Sequence, residues 1–314
     1  MGSVLSQAGN IEIDATEQVT IEGGRIVNNV NFGAFGNAGN IVINTGSLDA
    51  NNAAIGSATF GQGNTGSVTI QARDAVSFSG SNVLSIMGEQ GIGNGADINI
   101  QTRSLSLSNG TILGSGTLGQ GNSGNIQINA SDSISVSSGS ILQAFTNGKG
   151  NAGNVIIQSG GTVSFDGRGD HCLPSVVASF VGANAVGDGG NVNIQAKTVS
   201  LSNGAQIVTS TLGQRNAGSI QINASDSIFV SGSSLQTLSL GEGNAGNIII
   251  QSGNAVSLDG VGADIFLSKL YGITLADLPT TFAGLSNWFS FIGSSVLSML
   301  NQRLRCQLSK HLIR

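Results

Sequence analysis

Nine times along this chain a Gly/Asn-rich turn runs straight into two apolar β-branched residues one position apart. The turns centre on Asn10, Asn40, Ser67, Asp97, Asn125, Asn154, Asn191, Ser219 and Asn247. The pairs behind them are Ile11/Ile13, Ile41/Ile43, Val68/Ile70, Ile98/Ile100, Ile126/Ile128, Val155/Ile157, Val192/Ile194, Ile220/Ile222 and Ile248/Ile250. Successive steps are 30, 27, 30, 28, 29, 37, 28 and 28 residues. A period in this range marks a repeat architecture, in which each unit buries its apolar face only against its neighbours.

One unit shows what the repeat builds. After Gly124-Asn125, residues 126–130 alternate apolar and polar, the period of a half-buried strand. Ser131-Asp132 turns the chain, Ile134 and Val136 alternate again, Ser138-Gly139 makes another turn, and Ile141 opens a third strand. Three short strands separated by turns predict a triangular coil. Stacked coils pair each strand with its copy about 4.8 Å away, and the crossover rule favours a right-handed path. The expected fold is therefore all-β, a right-handed parallel β-helix of about nine coils with three strands per coil. Nine coils make a rod on the order of 40 Å long.

Composition fits this geometry. Charged residues are only 9% of the chain, against roughly 25% in ordinary domains. Like charges in adjacent coils would stand about 5 Å apart, whereas Asn can form a hydrogen-bonded ladder in stacked strands. The net charge of −5 and scattered Lys/Arg leave no basic stripe for nucleic acid. A longer period lies above the coil: 219–228 repeats 125–134 with one change, so blocks of three coils were duplicated. Residues 4–10 read as the end of a coil and no signal peptide is visible, which predicts a fragment of a longer protein.

The pattern divides the chain into a repeat domain, 1–260, and a non-repeat tail, 261–314. The tail holds the only Trp and Tyr, Trp288 and Tyr271. Leu285, Trp288, Phe289, Ile292, Val296, Met299/Leu300, Leu304, Leu308 and Leu312 follow helical spacing, with basic residues toward the C-terminus. This predicts a helix covering the open end of the rod. A membrane span over Phe282–Leu300, an interfacial helix and a non-native tail are the alternatives.

Few residues carry chemistry. The 37-residue step comes from an insertion over 168–174, and Arg168, Gly169, Asp170 and His171 form a candidate binding loop there. Arg168-Gly169-Asp170 matches an adhesion tripeptide, which three residues match readily by chance. His171 and Cys172 have no neighbouring base or ligand partner in sequence, and Cys306 fits no metal or disulfide spacing with Cys172. Asp132 and Asp226 repeat three coils apart, about 14 Å, which is too far for paired acid/base work, with Asp74 two coils before Asp132. Gly187-Asp188-Gly189-Gly190-Asn191 resembles part of a calcium-binding repeat but does not recur at nine residues. The Gly-Asn pairs at 121, 150 and 243 fit left-handed turns. No catalytic, metal or cofactor site is expected.

Gly-Asn-Ser-Gly-Asn-Ile-Gln-Ile-Asn-Ala (121–130), Leu-Ser-Leu-Ser-Asn-Gly (105–110), Thr-Leu-Gly-Gln-Gly-Asn (117–122) and Val-Ser-Leu-Asp-Gly (256–260) carry a resemblance. Over about residues 4–260 the chain resembles the repeat region of filamentous-haemagglutinin-type exoproteins of two-partner secretion systems, in their cyanobacterial form. That resemblance implies a secreted or surface-displayed adhesin-like scaffold without catalysis. It also implies glycans or cell surfaces as ligands, and an outer-membrane β-barrel transporter as partner of the parent protein. No segment here resembles the family's secretion domain. A carbohydrate-cleaving β-helix and a nonfunctional fragment are the alternatives. The discriminator for an enzyme is a cluster of acidic and basic side chains on adjacent coils. If the tripeptide is a chance match, Asp170→Glu leaves cell adhesion unchanged in a binding assay, and a loss of adhesion would restore it as a ligand.

Overall fold

The computed structural model describes residues 8–167, 174–259 and 264–269. They fold as a parallel β-helix. The first coil holds β1 (Ile11–Glu22) and β2 (Arg25–Val30), the second β3 (Ile41–Asn51) and β4 (Ala54–Thr59), and the third β5 (Val68–Ser79) and β6 (Asn82–Met87). The fourth holds β7 (Ile98–Ser108) and β8 (Ile112–Thr117), and the fifth β9 (Ile126–Val136) and β10 (Ile141–Thr146). The sixth holds β11 (Val155–Ser159), β12 (Thr162–Asp166) and β13 (Val176–Val181). The seventh holds β14 (Val192–Ser202) and β15 (Gln206–Thr211), and the eighth β16 (Ile220–Ser231) and β17 (Ser234–Ser239). The ninth holds β18 (Ile248–Ser252), β19 (Ala255–Asp259) and β20 (Asp264–Lys269).

Two sheets run the length of the rod. The long sheet stacks β1-β3-β5-β7-β9-β11-β14-β16-β18, with β12 and β19 completing the sixth and ninth rungs. The short sheet stacks β2-β4-β6-β8-β10-β13-β15-β17-β20. A third column consists of single parallel bridges from Phe35 through Gln62, Ile92, Gln120, Lys149, Val186 and Gln214 to Glu242. The first two strands expected in each coil are thus usually one bent strand. The bend is a register irregularity, as between Thr102 and Ser104 against Ala130 and Ser133, and not a chain-reversing turn. Only in the sixth and ninth coils, where Ser-Gly-Gly and Ser-Gly-Asn occupy the bend, does the strand divide. β20 pairs in register with β17, so the short sheet continues beyond Gly260, where the sequence pattern dissolves. The helix expected farther along the tail lies outside the described residues.

The expected inward pairs line the core. In the fifth coil Ile126, Ile128, Ile134, Val136 and Leu142 are each no more than 1% exposed. Their partners one coil back are Ile98, Ile100, Leu105, Leu107 and Leu113, so like sits on like along the axis. Burying five such side chains contributes on the order of 10 kcal/mol of transfer free energy per coil before chain entropy. The short sheet adds an inward polar column that the alternating pattern did not reveal. Asn28, Ser57, Ser85, Ser115, Ser179, Thr209 and Thr237 occupy equivalent rungs, with Ala144 in the fifth coil. Their side chains hold the backbone of the turn before the long strand. Gly66 N donates to Ser57 Oγ (2.7 Å), while Ser179 Oγ donates to Gly153 O (2.8 Å) and Thr209 Oγ1 to Gly218 O (2.6 Å). These bonds satisfy turn amides and carbonyls that face the interior.

Two asparagine columns clamp that turn from outside. In one, the backbone N–H of Asn64 donates to Asn37 Oδ1 (2.8 Å), Asn94 to Asn64 (2.8 Å), Asn122 to Asn94 (2.9 Å) and Asn151 to Asn122 (2.9 Å). Asp188, Asn216 and Asn244 continue it. In the other, formed by the turn centres, Asn40 N donates to Asn10 Oδ1 (2.9 Å), Asn154 N to Asn125 Oδ1 (2.8 Å) and Asn191 N to Asn154 Oδ1 (2.8 Å). The expected ladder exists, but its principal bond is backbone amide to side-chain oxygen. That is why Asp97, Asp188 and Ser219 can substitute: each presents an acceptor oxygen. Ser67 instead turns its hydroxyl back to Asn40 Oδ1 (3.0 Å).

The glycine before the first column is set by two constraints. Gly121 and Gly150 have φ of +130° and +143°, an extended positive-φ backbone rather than the left-handed turn expected for them. A Cβ on Gly121 would also stand 1.8 Å from Gly93 O in the coil before. The left-handed turns are elsewhere, at the corner between the sheets, where Asn52, Asn109 and Asn203 have φ of 49°, 56° and 56°.

Ile128→Asp places an unpaired charge in the core and should lower stability by about 4 kcal/mol or more; an unshifted urea midpoint would refute the coil register. Asn122→Ala should cost about 1 kcal/mol by removing the acceptor, whereas Asn122→Asp keeps it and should cost much less. Equal losses in paired denaturation curves would refute the acceptor role.

Candidate binding surface

The outer face of the long sheet is built by the pleat: side chains one position off the core pairs point to solvent. One position after each opening pair stands a short polar side chain in every coil. Register aligns them as Asp14, Asn44, Gln71, Gln101, Asn129, Gln158, Gln195, Asn223 and Gln251, a single column nine rungs long. Its signal was present in the sequence as a Gln or Asn behind each of eight apolar pairs. Alternation there reads only as strand and solvent, and the alignment into one line needs the register.

The column runs beside the bend of the long sheet, which makes the surface concave. Between the fourth and seventh coils it forms an open groove of about 560 Å³, lined by Gln101, Thr102, Asn129, Ala130, Ser131, Gln158, Ser159, Gly160 and Gln195. Two features widen it there. Thr102 and Ala130 are buried at the inside of the bend. Gly160 and Gly161 replace bulkier residues where the sixth coil divides, and Gly161 O accepts the backbone N–H of Lys197 (2.8 Å). The lining offers carboxamide and hydroxyl groups, each a donor and an acceptor, and no aromatic face. Arg103 and Lys197, two residues beyond Gln101 and Gln195, are exposed and stand near its two ends. Farther along the same column Asn44 Nδ2 donates to Asp14 Oδ1 (2.7 Å), and Asn223 Oδ1 is buried with no hydrogen-bond partner among the described residues.

The acidic residues singled out from sequence serve other contacts. Asp74 sits at the bend one coil before Arg103, with Arg73 at 2.9 Å and the Arg103 guanidinium at 3.8 Å. These exposed pairs contribute little to stability. Asp132 O accepts from Ser159 Oγ (2.9 Å), and Asp226 Oδ1 from Asn254 Nδ2 (3.3 Å). Their strands, β9 and β16, are three rungs apart in the long sheet. Asp188 is a rung of an asparagine column; its Oδ1 accepts Asn216 N (3.2 Å) and its Oδ2 lies 3.8 Å from Arg215. Among the described residues no three His, Cys, Asp or Glu are grouped to hold a metal ion, and no helix is long and apolar enough to cross a membrane.

The candidate loop residues Arg168, Gly169, Asp170 and His171, and Cys172, lie outside the described residues. The flanks of the insertion are placed: Ser175 Oγ donates to Asp166 O (2.6 Å), and Asn203 Nδ2 to Asp166 Oδ1 (2.9 Å). The insertion therefore leaves from the corner between the two sheets. The groove lies at the other end of β12, so the flanks and the groove are separated by a strand of roughly 16 Å. Comparison of the chain with protein-family models, curated proteins and solved structures finds no match.

Proposed function

We propose that the rod is a non-catalytic, secreted or surface-displayed adhesin-like scaffold that holds carbohydrate along the polar column of its long sheet. The observation that carries this reading is the column itself. It gives one carboxamide per coil from the second coil to the ninth at a spacing of about 4.8 Å, the scale of one sugar ring, beside a groove that is open along the axis. A sugar chain presents hydroxyls on the same repeat and needs alternating donors and acceptors, which carboxamides supply. The lining has no aromatic ring to stack on a sugar face, so each contact is a neutral hydrogen bond worth about 1 kcal/mol net. Affinity then comes from several rungs on one ligand and from several rods on one surface. The resemblance of the repeats to filamentous-haemagglutinin-type exoproteins supports display outside the cell, with an outer-membrane β-barrel transporter as the partner in export.

The test is a glycan array probed with the folded chain in multivalent form. Gln101→Ala with Gln158→Ala removes two exposed carboxamides and leaves the core intact. Binding should fall roughly tenfold or more, as expected for two neutral hydrogen bonds. Unchanged binding by the double variant would remove the column as the site, and no binding by the parent chain would leave the rod a spacer.

A further inference from the structure

Beyond its bend the long sheet carries a second outer surface, unlike the carboxamide column before it. Side chains one position off the inward pairs again point outward. Register stacks Ser77, Ser106, Ser135, Ser164 and Ser200 into one column over the third to seventh coils. Two residues before them, Ser104, Ser133, Thr162 and Thr198 form a second column over the fourth to seventh coils. No register shift falls between the two columns, so the hydroxyls stand in a two-dimensional array. Asp49 bounds the first column in the second coil and Phe229 in the eighth. Between them neither column holds a charge.

These hydroxyls differ from those inside the rod. Ser57, Ser179 and Thr209 are bonded to the turn. The five serines of the first column have no side-chain hydrogen-bond partner among the described residues, and none of them is buried. In the second column Ser104 Oγ makes one long bond, to Asp74 O at 3.4 Å. The bonding capacity of the array is therefore directed at water, with each hydroxyl both donor and acceptor. Along the axis neighbouring hydroxyls are about 4.8 Å apart. Two oxygens bonded to one water at about 2.8 Å, at the tetrahedral angle, stand about 4.6 Å apart. One water thus bridges each pair of rungs, at the spacing of second-neighbour oxygens in ice. Between the columns two residues of strand cover about 6.6 Å, which two waters in series span.

We propose that this hydroxyl array binds ice, by holding its first layer of water at the spacing of the crystal. The backbone fixes both distances. Directly beneath the array Leu105, Leu107, Ile134, Val136, Val163 and Phe165 are no more than 2% exposed, so the strands that carry the hydroxyls rest on packed core. A serine side chain has few torsions to order, far fewer than the glutamines across the bend, so little entropy opposes a fixed array. The shape of the face selects a periodic ligand. Its columns hold no side chain longer than threonine to enclose a single chain, and the groove lies on the other side of the bend. Only a partner that repeats in two directions meets many of these hydroxyls at once.

Single ice crystals grown in a solution of the full chain should become faceted, and recrystallisation of a frozen sucrose film should slow. Ser106→Tyr with Ser135→Tyr puts two rings in the middle of the array and should abolish both effects. Gln127→Tyr, on the outer face before the bend, should leave them unchanged. Should the double tyrosine variant lose its far-UV β signal, the triple variant Ser106→Ala, Ser135→Ala, Ser164→Ala removes hydroxyls without adding bulk. It should need a several-fold higher concentration to facet ice. Rounded crystals in the parent chain, or equal activity in folded variants of the array, would overturn the proposal. Retention on a crystalline neutral polysaccharide that the same variants lose, with no shaping of ice, would overturn it as well and assign the face to a polysaccharide surface.

Discussion

Parallel backbone hydrogen bonding at one fixed spacing governs every other feature of the rod. With a coil every 4.8 Å or so, each residue sees its own copy above and below. A position that suits an apolar side chain in one coil suits it in all, and the core becomes columns of Ile, Val and Leu. A charge would meet its like at the same spacing, so charges are few and tend to be balanced locally, as Asp74 is by Arg73 and Asp188 by Arg215. Where the backbone turns most tightly, the carbonyl of the coil before occupies the space a Cβ would need, as at Gly63, Gly121 and Gly187. Glycine there is a requirement of stacking more than of flexibility.

The turns show how the chain satisfies polar backbone without a flat sheet. Their amides cannot all reach the next coil in ladder geometry. Asparagine oxygens accept some from outside, and serine or threonine hydroxyls of the short sheet bind others from inside. The turn is held between two exposed columns of side chains and one buried column. Arg215 departs from the rule: it takes φ of +88° at a rung where other coils place glycine. Such strain costs on the order of 1–3 kcal/mol and is tolerated when its surroundings hold it. Here the coils on either side do so.

Period and alternation made the coils, the inward pairs and the insertion corner legible in the sequence. A strand's period of two reads out which side chains face in, and Ile126/Ile128 and Ile134/Val136 did so without ambiguity. Three things were not legible. Alternation does not distinguish a bend from a turn, so Ser131-Asp132 read as a break between strands. It does not fix which residue of the short strand that Ile141 opens faces inward, and there Leu142 fills the core. Inward hydroxyls such as Ser179 and Thr209 look, in sequence, like solvent-facing polar residues. The amide column was visible residue by residue, but only register joins it into one surface beside a groove.

The direction of the hydrogen bonds has a mechanical consequence. They lie along the axis of the rod and the covalent chain winds around it. A load applied end to end opens each coil as a zipper, one row at a time, and each released coil lengthens the chain by its whole contour before the next is strained. A load applied across the rod must shear many rows together. A filament of this kind yields in small steps when stretched and resists when bent aside, so it extends under drag while most of its coils stay folded.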